Sequence, residues 1–265
     1  MAVTKEQKKT FNEKVKAYKN YLDELKKEES TLKAVGRKNS KIDPYVQMRL
    51  TGLGIQRVST LLLMSRLSMK IQGLKNESYL TDSRKEISNR INILLKIVGD
   101  DLEGSLTENK DRLRLLKHMT PSQRYKLVQG LKSITEELKE ILGPNSKWRW
   151  SFPELHYKVG LLAKNLFDFQ EYGKSKDPNE EFFHVRQEML NFITFELLYS
   201  AQDYRSRYEL STQDVGDLQI VQKIFEGVIK IYSITGNSAE ASRVKTSLDA
   251  VTELIGSKSG GKKKK

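Results

Sequence analysis

The sequence predicts an all-α protein. Helix start signals recur along it, each a short polar residue followed three positions later by an acid or an amide. Apolar residues then follow at spacings of three and four, the period of one face of an α-helix. The chain has no cysteine, which excludes disulfide scaffolds, thiolate metal sites and cysteine nucleophiles. The start signals are Ser83…Glu86, Ser105…Glu108, Thr120…Gln123, Ser151…Glu154, Asp177…Glu180 and Asn237…Glu240.

Two long helices are expected first. The helix over residues 4–35 is highly charged and has one narrow apolar seam, a pattern typical of coiled coils. A polar segment, 36–43, separates it from a second helix that Pro44 opens and that extends to about residue 76. Because the connection is short, the pair should form an antiparallel hairpin. The second helix should be the more buried, since its residues 61–64 are apolar around much of the turn and its small residues would let a neighbour approach closely. The seam consists of Phe11, Val15, Tyr18, Leu22, Leu25 and Leu32.

Seven shorter helices are predicted to follow, which gives about nine in total and a C-terminal multi-helix bundle. The seventh has the most aromatic residues, and so wide an apolar arc predicts burial on more than one side. The predicted domains are a long helical hairpin over 1–80, a helical bundle over 81–256 and a flexible polylysine tail over 257–265. Among the bundle helices, the third should end at Gly99, the fifth at Gly143, the sixth should cover 152–172, the seventh 178–209, and the ninth should end at Gly256.

The positive charge lies mainly at the two ends of the chain. The formal net charge is +13, yet residues 1–43 contain 12 Lys and Arg against 7 Asp and Glu. Residues 257–265 add five lysines and no acid. The body between them is close to balanced, which weakens the interpretation as a nucleic-acid binder that so basic a chain would otherwise favour. The tail could still attract nucleic acid or an anionic surface through Lys262, Lys263, Lys264 and Lys265.

Trp148, Arg149 and Trp150 are the candidate residues for contact with a partner. An exposed tryptophan can fill a pocket of another protein or stack on a base. The competing explanation is local, because Trp150 directly precedes the helix start at Ser151 and could pack on Leu155 as a hydrophobic staple. Packing as a hydrophobic staple explains the presence of Trp150 well, but it does not explain that of Trp148.

No pattern points to catalysis, a cofactor or a metal. Glu181 and His184 have the Glu-x-x-His spacing of di-iron bundles, but such sites need that motif twice. Residues 256–262 have the spacing of a phosphate-binding loop, but Lys263 replaces the required Ser or Thr and no strand precedes them. We therefore expect no enzyme activity, no cofactor, and no catalytic, cofactor-binding or metal-binding residue.

The leading hypothesis is a non-enzymatic structural or assembly protein that presents helical surfaces to protein partners, a second copy of the chain among them. The alternative is a basic nucleic-acid-associated protein that contacts phosphates through the N-terminal helix and the polylysine tail. No stretch is long and apolar enough to span a membrane, and no signal peptide is evident, so we expect a cytoplasmic protein. A signal peptide that had been removed from the start of the protein would leave the same sequence, so this expectation applies to the sequence as given. On the N-terminal helix, the contact residues would be Lys5, Lys8, Lys9, Lys14 and Lys16.

Overall fold

The regular structure of this protein is helical. The computed structural model describes residues 3–40, 43–174 and 177–260, and within these ranges it has ten α-helices and no strand. The all-α prediction is confirmed. The helices are α1 (Lys5–Lys38), α2 (Asp43–Gln72), α3 (Glu77–Val98), α4 (Leu106–Arg114), α5 (Pro121–Leu142), α6 (Phe152–Leu166), α7 (Phe169–Lys174), α8 (Phe183–Arg207), α9 (Val215–Thr235) and α10 (Ser238–Gly260).

The chain forms two compact units, and each unit is built from two separate stretches. Unit 1 consists of Met1–Ile97 and Lys126–Arg149, and unit 2 of Val98–Tyr125 and Trp150–Lys265. This division differs from the predicted boundary near residue 80, because most of α3 and of α5 belongs with the N-terminal hairpin.

In unit 1, α1 and α2 form the expected antiparallel hairpin. Near their connection, Leu25 of α1 packs with Val46 and Leu50 of α2. At the far end, Phe11 packs with Met64. The predicted difference in burial is also confirmed, since α2 has thirteen buried residues among those described and α1 has four. Thus α1 keeps a wide solvated surface, while α2 is covered on several sides.

Helix α2 is more buried because α5 also packs against it. Arg66 of α2 donates hydrogen bonds to Glu137 and Glu140 of α5, each at 3.0 Å. The two helices approach closely at Gly130, where an added Cβ would lie 2.9 Å from the Cδ1 atom of Ile55. Because Gly130 has no side chain, the two helices approach this closely without displacing the Ile55 side chain.

In unit 2, α8 packs against α6 and α9, and α9 packs against α10. An added Cβ at Gly160 of α6 would lie 3.1 Å from the Leu197 side chain of α8, so these two helices are in close contact. A π-helical turn, Tyr208–Thr212, follows α8. After it, the buried carboxylate of Asp217 accepts hydrogen bonds from Arg207 and Thr212, which fixes the start of α9.

Two predicted helix starts are wrong. Ser83 lies inside α3, which begins at Glu77, and its buried hydroxyl donates to the backbone oxygen of Tyr79 at 2.7 Å. The helix expected from Asp177 begins only at Phe183, because the Asp177 carboxylate accepts from the backbone N–H of Asn179 and closes a tight turn instead. In both cases the polar side chain hydrogen-bonds to a nearby backbone group that does not belong to a helix N-terminus.

Two other boundaries differ from those expected. The predicted sixth helix is two helices, because α6 ends at Leu166 and the Asp168 carboxylate caps α7 by accepting from two backbone N–H groups. The start of α6 at Phe152 is as predicted, although Ser151 makes no side-chain capping hydrogen bond there. At the other end, α10 continues through Gly256 to Gly260, so residues 257–260 are helical.

The remaining start signals are confirmed. Ser105 and Glu108 form a reciprocal capping box at α4, and Thr120 and Gln123 do so at α5. Asn237 accepts from the N–H of Glu240 at the start of α10.

Candidate binding surfaces

Unit 1 contains a polar groove, which we call the α1–α3 groove. Its volume is about 770 Å³, within the roughly 300–1,000 Å³ range of small-molecule sites. Three helices contribute to its wall: α1 from Lys26 to Arg37, α2 from Asp43 to Arg57, and α3 from Glu86 to Ile93. At the closed end, Gly36 lets α1 approach α2, because an added Cβ there would lie 3.0 Å from a carboxylate oxygen of Asp43.

A buried arginine forms the base of this groove. The Arg90 side chain is only 5% exposed, and it donates to Glu29 at 2.6 Å and to Glu86 at 2.7 Å. Gly54 of α2 makes room for it, since an added Cβ would lie 2.9 Å from the Arg90 Nε atom. An arginine held by two carboxylates has a fixed orientation.

Glu29 gathers three basic groups around one carboxylate. Besides Arg90, it pairs with Lys33 at 2.8 Å and with Arg57 at 3.8 Å. Burial alone would raise the pKa of Glu29, but the hydrogen bonds from Lys33 and Arg90 outweigh it and hold this pKa below its ordinary value. Glu29 is therefore ionised at neutral pH.

The rim of the groove has an excess of positive charge. Five basic and three acidic residues line the groove. The acids already have partners: Glu29 and Glu86 bind Arg90, and the Asp43 carboxylate accepts from the amide of Gln47 at 3.0 Å. By contrast, Lys26 and Arg37 are exposed and form no ion pair with any residue in the described ranges. These two cations are available to an anion in the groove.

Unit 2 presents an aromatic surface on α8. Phe195 is 62% exposed and stacks on Tyr199, with ring centroids 6.0 Å apart and planes inclined by 6°. One turn earlier, the half-buried Phe192 meets the ring of Tyr125 edge-on at 5.8 Å. The predicted burial of this helix on more than one side is confirmed by its packing against α6 and α9, but the Phe195 side chain stays mostly exposed.

Polar residues border the Phe195 surface along the helix. Glu188 lies two turns before Phe195 on the same face, Asn191 one turn before it and Gln202 two turns after it, and all three are exposed. Glu188 forms no ion pair with the described part of the chain. An apolar centre within such a polar rim has the anatomy of a protein interface.

Two of the three residues predicted to contact a partner lie in unit 1, and the third lies in unit 2. Trp148 is half-buried in unit 1, and the Arg84 guanidinium covers its ring at 3.9 Å from the centroid. Arg149 is exposed and ends the same unit. Trp150 begins unit 2, where its backbone oxygen accepts from Arg207 at 3.2 Å. A role in partner contact stays a prediction for all three.

The polylysine tail, Lys262 to Lys265, lies outside the described residues. Glu181 and His184 are exposed, and the described ranges contain no group of three or more possible metal ligands that includes them. None of the helices in these ranges combines the length and the apolar character needed to cross a bilayer.

Fold and surfaces together define the class: an all-α protein of two helical units, with a basic groove on one and an aromatic surface on the other. The chain belongs to the TP0443 family, whose model matches residues 7–258. No curated protein is significantly similar to it in sequence. A similar solved chain comes from work described as "Computational Design of Self-Assembling Cyclic Protein Homooligomers", with 10% identity, 91% of this chain and 95% of that chain covered, and a TM-score of 0.29. So low a TM-score supports no argument about fold or assembly.

Sequence reasoning missed both surfaces. The groove joins three helices, and its central pair, Glu29 and Arg90, is 61 residues apart in the chain. One signal was present: Lys26, Lys33 and Arg37 lie at positions i, i+7 and i+11, which places them on one flank of α1. For α8, the aromatic residues occur around much of the helix, so their spacing does not identify the ring that stays in solvent.

Proposed function

We propose that this protein is a non-enzymatic assembly protein that binds protein partners through its helical surfaces, and that the contact centres on Phe195. The exposed aromatic surface of α8 is the observation that supports the proposal. Aromatic residues are enriched at the energetic centres of protein interfaces. A single exposed apolar residue is ordinary, but here Phe192, Phe195 and Tyr199 follow one another along one flank of a helix.

The rings are held in place before any partner arrives. Tyr199 stacks on Phe195, and Tyr125 supports Phe192 from the side. Little side-chain freedom then remains to be lost on binding, which favours affinity. The helix itself is anchored by its packing on α6 and α9.

The charge at the border of this surface specifies the partner's chemistry. Glu188 is an exposed acid without an ion-pair partner among the described residues, two turns (~10 Å) from Phe195. A complementary segment has apolar side chains to cover Phe195 and a Lys or Arg to meet Glu188. We therefore expect the partner, which is a different protein or a second copy of this chain, to supply an apolar segment with a basic residue.

Site-specific photocrosslinking tests this proposal. A benzophenone amino acid replaces Phe195 in the full-length chain expressed in its own cells, and the crosslinked peptides are identified by mass spectrometry. The matched control carries the same group at Leu63, which is 46% exposed on α2. The expected result is one recurrent peptide of the stated chemistry from position 195 and none from position 63. The same peptides from both positions, or a peptide without apolar residues and a Lys or Arg, would contradict the proposed partner.

The purified crosslinked partner then allows a quantitative measurement. Phe195→Ala should weaken its binding by about 2 kcal/mol, roughly thirtyfold, as expected for an aromatic residue at the centre of an interface. Glu188→Gln should weaken it less, and the loss should shrink with added salt. Leu63→Ala should leave it unchanged. An unaltered affinity for Phe195→Ala would refute the assignment.

The nucleic-acid alternative stays a prediction. Its N-terminal lysines are exposed on α1, but its polylysine component lies outside the described residues. It predicts binding that falls steeply with salt and decreases when residues 257–265 are deleted. Binding that responds to neither change would count against it. The N-terminal lysines concerned are Lys5, Lys8, Lys9, Lys14 and Lys16.

A further inference from the structure

The charges on α1 are distributed unequally around the helix. At 100° per residue, most of the basic side chains fall on one flank of the apolar seam, and several acids fall on the other. The acidic flank includes Glu6, Glu13, Glu24 and Glu28. The basic flank includes Lys8, Lys19, Lys26, Lys33 and Arg37.

Only part of the basic flank lies in a concave site. Lys26, Lys33 and Arg37 line the α1–α3 groove, whereas Lys8 and Lys19 lie outside it. Lys33 is engaged by Glu29, which leaves Lys26 and Arg37 without an ion-pair partner in the described ranges. They are eleven residues apart, about 16 Å along the helix axis. One small ion cannot bridge them easily, but a ligand with two or more anionic groups can.

The groove also offers groups suited to phosphate. Arg57 is 42% exposed and forms only a long contact, 3.8 Å, with Glu29. Ser40 and Asn89 add a hydroxyl and an amide to the lining. Arginine forks, lysine ammonium groups and neutral donors of this kind are the usual partners of phosphate oxygens.

We propose that the α1–α3 groove binds a small molecule carrying two or more phosphate groups, with Lys26 and Arg37 as its principal contacts. Arg90 does not bind the ligand directly. It fixes Glu29 and Glu86, and through Glu29 it orients Lys33 and Arg57 at the wall. The volume of the groove, about 770 Å³, suits a compact ligand better than a nucleic-acid strand. The site lies in unit 1, and it is independent of the Phe195 surface.

Isothermal titration calorimetry on the full-length chain tests this proposal, with sodium tripolyphosphate as the probe. The double variant Lys26→Gln/Arg37→Gln removes the two groove cations. The matched control, Lys8→Gln/Lys19→Gln, removes the same charge from the same flank outside the groove. All four side chains are exposed, and far-ultraviolet circular dichroism verifies that both variants keep their helices.

The expected result is one bound tripolyphosphate per chain, with affinity reduced about tenfold or more in the groove variant and less than threefold in the control. Three outcomes would overturn the proposal. One is no binding to the unmodified chain at millimolar probe. The second is an equal loss in both variants, which would indicate diffuse electrostatic attraction. The third is tighter binding of a single-stranded oligonucleotide than of tripolyphosphate, with an oligonucleotide affinity that falls equally in the groove variant and in the control variant.

Discussion

Replacement of Glu29 by glutamine should destabilise the protein far more than the same change at its neighbour Glu28. The two residues are adjacent on α1, but their surroundings differ. Glu29 is 13% exposed and binds the buried guanidinium of Arg90, whereas Glu28 is 43% exposed and binds Arg49, itself 57% exposed. The comparison therefore sets a mostly buried carboxylate with three basic partners against an exposed carboxylate with one, at neighbouring positions of the same helix.

The magnitude follows from the contacts that remain. Removing one partner of a buried ion pair costs about 3–5 kcal/mol. In Glu29→Gln, Arg90 retains Glu86, and the glutamine oxygen can still accept a hydrogen bond, so we expect a loss of about 2 kcal/mol. Glu28→Gln should cost less than about 0.5 kcal/mol, as for exposed ion pairs. In urea denaturation, Glu29→Gln should lower the midpoint by about 0.7 M for a slope near 3 kcal/mol per M.

The pH dependence gives a second readout. Because the pKa of Glu29 is lower in the folded protein than in the unfolded chain, its charge stabilises the fold at pH values above the ordinary pKa of glutamate, about 4.3. That stabilisation is lost as the pH falls through the lower pKa of the folded state. The difference between wild type and Glu29→Gln should thus be largest near pH 7 and shrink on acidification. Equal losses for the two glutamate variants at pH 7 would refute the reasoning.

Two further predictions concern other parts of the fold. Thr120→Ala removes the hydroxyl that caps α5, and it should lower the free energy of unfolding by about 1 kcal/mol in urea denaturation. No measurable loss would show that the Gln123 side chain alone is enough to cap the helix. Burial lowers the pKa of Lys164 on α6, and nearby Asp101 offsets this effect only in part. The unfolded chain therefore binds more protons than the folded protein at alkaline pH, so the stability of the wild type should rise relative to Lys164→Met over the alkaline range below the ordinary pKa of lysine, about 10.4. Thermal unfolding across that range measures the difference, and a constant difference would contradict the lowered pKa.

The sequence predicted the elements of this fold better than their boundaries. The apolar seam of α1 can be predicted from sequence because a coiled-coil spacing is a local property of one helix. Its members Phe11 and Leu25 are buried, as expected. Helix starts are harder to predict from capping residues, because the same polar side chain can instead hydrogen-bond within a turn or inside a helix. Ser83 illustrates this, since its hydroxyl bonds inside α3 and the helix begins six residues earlier.

The candidate sites depend on contacts that spacing does not encode. Arg90 is one of many basic residues in the sequence, and only the folded chain places it between Glu29 and Glu86 beneath Gly54. A charged residue in an amphipathic helix is most often solvated, so nothing in the local pattern marks this one as buried. The opposite holds for Phe195, where an aromatic residue suggests burial and the structure leaves it in solvent.

The discontinuity of unit 1 has a consequence for synthesis on the ribosome. Arg66 of α2 pairs with acids that are 71 and 74 residues further along the chain. Ile55 of α2 likewise packs at Gly130, which is on the same later helix, α5. The nascent hairpin therefore emerges with one side of α2 uncovered while the intervening segment is translated. For the same reason, a fragment that stops after α3 lacks the helix that covers this side of α2.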